Sequence, residues 1–61
     1  MYFEFKPVDF ARAYPQYWRG FPPEMRADLL GDSDYIIRIK FAKDGGAMVE
    51  VGYASDVWAI S

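Results

Sequence analysis

The sequence predicts an α+β fold: an antiparallel sheet of three or four strands with two short helices on one face. The order is β-α-α-β-β, with a possible short last strand. Three observations carry that expectation. Residues 35–53 alternate apolar and polar positions on either side of a glycine turn, the period-two pattern of a hairpin. Between residues 9 and 31, prolines and glycines cut a helical pattern into short pieces. Finally, 61 residues, 52% hydrophobic and 20% aromatic, supply one small core, which predicts a single domain over 1–61.

The elements follow in order. Phe3 and Phe5 point one way while Tyr2, Glu4 and Lys6 point the other, as in a half-buried strand ended by Pro7. Asp9 can cap a helix through about Tyr14, with Phe10 and Tyr14 on one face. Pro15 interrupts it, because the residue before a proline is pushed out of helical geometry. Gln16 to Gly20 reads as a short helical turn. Pro22 and Pro23 suit the first turn of the next helix, where a missing N–H costs nothing. Met25, Leu29 and Leu30 form its apolar stripe, Glu24 complements its N-terminus and Gly31 closes it.

From Asp34 the period changes to two. Tyr35, Ile37, Ile39 and Phe41 share one face, as do Ala47, Val49, Val51 and Tyr53 on the returning strand. A two-residue Asp44-Gly45 loop would set Ile39 against Glu50 and mix the faces. A three-residue Asp44-Gly45-Gly46 loop with a bulge glycine instead predicts Phe41 opposite Val49, Ile39 opposite Val51 and Lys40 opposite Glu50. Residues 56–60, with Trp58 and Ile60 on one side, are the possible last strand. The first strand can join either edge of the hairpin. An open edge remains in any arrangement and invites strand addition.

Composition narrows the chemistry. Cys and His are both absent, which removes disulfide staples, common zinc modules and any imidazole-based nucleophilic mechanism. Lys6, Lys40 and Lys43 would need burial to act as bases, and so thin a core offers little. Paired carboxylates would need a cleft to hold a sugar. The expectation is a non-catalytic protein without a cofactor. No run of 18 apolar residues is present, and Glu4, Lys6 and Asp9 interrupt the N-terminus where a signal peptide would be uncharged. A cytoplasmic protein is expected. Met1 and the lack of a tag or linker suggest a complete small open reading frame. The net charge is −2 and the isoelectric point about 4.8, which argues against duplex nucleic acid. Arg12, Arg19 and Arg26 recur every seven residues, but Gly20, Pro22 and Pro23 break any helix that would align them.

Two groups of residues are candidates for partner binding. Tyr17, Trp18 and Arg19 lie in the aromatic and proline-rich segment 14–23. Tyr, Trp and Arg are the types enriched at interface hot spots, although Tyr17 and Trp18 can equally plug the end of the sheet. Asp28, Asp32 and Asp34 surround the end of the second helix, where the helix dipole disfavours anions. They make an acidic surface, or else supply the turn chemistry of Asp32 and Ser33. The two carboxylates of Asp32-Ser33-Asp34 fall short of a calcium site.

A small acidic Cys-free chain displaying Tyr17, Trp18, Asp28, Asp32 and Asp34 resembles the small phage-encoded anti-CRISPR inhibitors in size and surface type. No motif is shared. The resemblance implies a protein that docks on a CRISPR effector subunit and blocks DNA recruitment or nuclease action. The low net charge departs from heavily acidic DNA mimics. Alternatives are a small structural or assembly protein that forms a homo-oligomer through its sheet edge, an antitoxin- or immunity-like partner of a toxin, and a single-strand nucleic-acid binder. Monomer or weak homodimer is the expected state.

Overall fold

A computed structural model describes residues 1–61. The elements are β1 (Phe3–Phe5), α1 (Pro7–Ala13), α2 (Pro15–Trp18), α3 (Pro23–Gly31), β2 (Tyr35–Phe41) and β3 (Ala47–Tyr53). The α+β class holds, with the expected helical turn regular enough to count as a third helix. The strands form one antiparallel sheet in the order β1-β2-β3. β1 therefore joins the hairpin beside β2 and makes it the central strand.

Every helix begins with a proline. Pro7, Pro15 and Pro23 occupy first-turn positions, and none of the preceding residues Lys6, Tyr14 and Pro22 caps through its side chain. Proline at the start lacks the N–H that would otherwise go unpaired, and its fixed φ is already helical. Helix α1 consequently starts two residues before the expected Asp9 cap. Asp9 sits inside the first turn, where a carboxylate still complements the dipole. Tyr14, held out of helical geometry by Pro15, ends α1 and leads into α2 at φ −133° and ψ 65°.

The core lies between the helices and one sheet face. Phe10 of α1, Leu29 of α3, and Ile37 and Ile39 of β2 are buried, with Phe5, Tyr14, Tyr17, Trp18, Phe21, Val49 and Val51 packed around them. The expected stripe on α3 shrinks to Leu29, because Met25 is 38% exposed and Leu30 56%. A nine-residue helix on a three-stranded sheet buries only the row facing the strands.

The hairpin loop differs from expectation by one residue, and the pairing by two. Ile39 faces Val49, Ile37 faces Val51 and Arg38 faces Glu50; Lys40 lies opposite Met48. Gly45, at φ 91°, is the residue in the left-handed region. The Ala42 carbonyl accepts from Gly45 N–H, and the Gly46 carbonyl accepts from Ala42 N–H. The three-residue loop is thus Lys43-Asp44-Gly45. Asp44 closes it by accepting from Gly46 N–H at 2.9 Å. A shift of two preserves the faces, so the predicted core side survives the error.

Residues 56–60 do not extend the sheet. They cross its second face as a strap held by side chains rather than by a ladder. Glu50 accepts from the backbone N–H groups of Ala59 and Ile60 at 2.9–3.1 Å, and Arg38 Nη1 donates to the Ile60 carbonyl at 2.8 Å. Ile60 is 2% exposed. Gly52 makes room, since a Cβ there would lie 2.7 Å from an Asp56 carboxylate oxygen.

Candidate functional site

The predicted partner-binding residues do not form one site. Tyr17 and Trp18 of α2 are half-buried and packed on the core, Tyr17 against Tyr14 and Trp18 edge-on against Phe21 at 5.7 Å. Arg19 follows α2 with an exposed side chain. Tyr14 in turn meets Phe41, at the hairpin end of β2. Asp32 and Asp34 belong to the opposite end. Asp32 Oδ1 accepts from Asp34 N–H and Oδ2 from the Tyr53 hydroxyl, both at 3.0 Å. Tyr53 stacks on Tyr35 at the start of β2, 4.6 Å between centroids. The length of β2, roughly 20 Å, separates the two groups.

Asp32 is a turn residue whose carboxylate is spent on Asp34 N–H and the Tyr53 hydroxyl. Asp28 and Asp34 are exposed. The hydroxyl of Tyr35 and the carboxylate of Asp32 push the Tyr53 phenol well above its usual pKa. That arrangement keeps the hydroxyl a donor and closes this end of the sheet.

At the hairpin end, the aromatic surface extends beyond the predicted segment. Phe3 is 46% exposed and Phe41 43%, and their rings meet edge-on at 6.4 Å. Phe41 continues to Tyr14 at 5.7 Å and Tyr14 to Tyr17 at 6.1 Å. Four aromatic rings from β1, β2 and the α1–α2 junction therefore form one partly exposed run. Sequence reasoning assigned Phe3 and Phe41 to the core face, which is where they point. It missed that the helices end short of them. The available signal was their place at outer strand positions.

Arg38 is tied down on the second face of the sheet. Arg38 donates through Nε to Glu4 at 2.7 Å, and its guanidinium lies between the Tyr2 and Trp58 rings at 4.5 and 4.3 Å. Its charge is occupied by this clamp. The two N–H donors of the strap, reinforced by Arg38, hold the Glu50 carboxyl below its usual range. Trp58 Nε1 is buried without a partner. No cavity indents the surface, no cluster of three potential metal-ligating side chains is present, and no helix is long and apolar enough to cross a membrane. Compared with protein-family models, curated proteins and solved structures, the chain matches none.

Proposed function

We propose that this chain is a non-catalytic protein-binding inhibitor that acts by covering a surface of its partner. The observation that supports it is the run Phe3–Phe41–Tyr14–Tyr17, with Phe3 and Phe41 each more than two-fifths exposed. Adjacent aromatic rings left in water on so small a molecule supply the large apolar contact area that interface anchors need. Exposed Arg19 lies just beyond α2 and suits the rim of such a contact. The size and surface resemblance names the target class: a bacterial defence protein such as a CRISPR effector subunit, with DNA recruitment or nuclease action blocked.

Purified CRISPR effector complexes, titrated with the protein and then assayed for target-DNA binding and cleavage, test this. Stoichiometric binding by the wild type should fall at least tenfold in Phe41→Ala, the order expected for a hot-spot ring, with circular dichroism unchanged. Equal binding by wild type and variant would remove the aromatic run from the contact. No binding to any effector would remove the target class.

A further inference from the structure

The two edges of the sheet are treated differently. β1 is three residues long and its central residue is charged Glu4, so it offers almost nothing to another strand. β3 is seven residues long, with neither proline nor lysine. The Ala42–Gly46 hydrogen bond sets the alternation of the hairpin ladder: Met48, Glu50 and Gly52 turn their backbone groups toward β2, and Ala47, Val49, Val51 and Tyr53 turn theirs outward. The Tyr53 groups are used in a local turn, its N–H donating to Asp56 and its carbonyl accepting from Asp56 N–H. No turn, loop or side-chain hydrogen bond reaches the outward groups of Ala47, Val49 and Val51. Three donors and three acceptors thus stand in a row along an undefended edge.

We infer that this edge pairs with β3 of a second copy of the chain, antiparallel, about a two-fold axis through Val49. The row is complementary to itself in one register. With Val49 opposite the partner copy's Val49, Ala47 meets Val51 and all six outward groups of each strand find partners. Ala47, Val49 and Val51, half-buried at the rim of the core, gain cover on the helix side. On the other face, 57%-exposed Met48 lies opposite Glu50, whose charge is already held by its own strap and Arg38. The neighbouring register, centred on Glu50, would set two carboxylates directly against each other and require the occupied groups of Tyr53. The result is a continuous six-stranded sheet with the helices of both copies on the same side. Sheet extension adds covered apolar surface to a core of few buried residues, which is where a chain this short lacks it.

Sedimentation equilibrium over a wide concentration range, on the wild type, Met48→Glu and Met48→Lys, tests the pairing and its register. Within one chain residue 48 faces Lys40, so Met48→Glu favours the monomer fold while Met48→Lys does not. Between copies it faces Glu50, and the order reverses. The wild type should reach twice its 7.1 kDa mass. Met48→Glu should weaken the dimer roughly tenfold and Met48→Lys should not, the two-fold axis doubling each pair's effect. A wild type that stays monomeric to millimolar concentration overturns the inference. So does a dimer indifferent to both substitutions. Val49→Pro removes one outward donor and no β2 bond, and should abolish the dimer with the circular dichroism spectrum kept. If the wild type is monomeric and Val49→Pro abolishes its binding to an effector with the circular dichroism spectrum kept, the edge serves a foreign strand and the second copy is wrong.

Discussion

Arg38 joins the two ends of the chain through one guanidinium: Glu4 and Tyr2 on one side, Ile60 and Trp58 on the other. Glu50 completes the row and grips the strap from β3. Strand pairing lines up Glu4, Arg38 and Glu50 across three strands, and the expected hairpin register, with Lys40 in that place, would not. The Glu50 grip has a pH signature. Its folded pKa lies below the ordinary value of 4.5, so the stabilisation is complete above that value and is lost as pH falls through the lower, folded one. In a Trp18→Phe background, Trp58 fluorescence should report release of the strap as pH drops below about 4.5. Glu50→Gln should remove that transition and leave the strap partly released at pH 7. A transition unchanged by the substitution would assign it to another carboxylate.

Among the elements, the helices are set by proline and the hairpin by a single glycine. Gly45 carries the positive φ, and Gly46 does not. Gly45→Ala should therefore cost about 1–2 kcal/mol in urea unfolding, the left-handed penalty of a side-chain-bearing residue. At Gly46 an added Cβ meets only the Asp44 carboxylate oxygen, at 3.2 Å, which must give by a few tenths of an ångström, and the backbone carries no left-handed strain. Gly46→Ala should cost less than half as much. The reverse ranking would restore the Asp44-Gly45-Gly46 loop. The composition of the turn was legible in the sequence, but its phase was not. Two adjacent glycines both tolerate the left-handed conformation, and only the closed turn, with its Ala42–Gly46 hydrogen bond, shows which one adopts it.

At the scale of the whole molecule, both faces of the sheet carry a cover, helices on one and the strap 56–60 on the other. The second cover is a packing contribution in its own right. Ile60→Ala should cost about 2 kcal/mol, the low end for a buried isoleucine, and lower Tm by roughly 10 °C. A shift within 2 °C would mean that the strap lies on the sheet without stabilising it. The same distribution explains how the candidate site was only half legible. Residue types singled out Tyr17, Trp18 and Arg19 as candidates for partner binding, because aromatic and guanidinium chemistry is written in the side chain. Whether they cluster with Asp32 or with Phe41 depends on which end of β2 the helices cover. The sequence alone determined the α+β class, the proline start of α3, and the division of β2 and β3 into a core face and an outer face, because each follows from local geometry and a period of two or 3.6 residues. Tertiary structure alone decided the place of β1, the hairpin phase, the strap and the exposure of Phe3 and Phe41. These depend on contacts between residues distant in the chain, where several pairings satisfy the same local pattern and only simultaneous packing and hydrogen bonding select one.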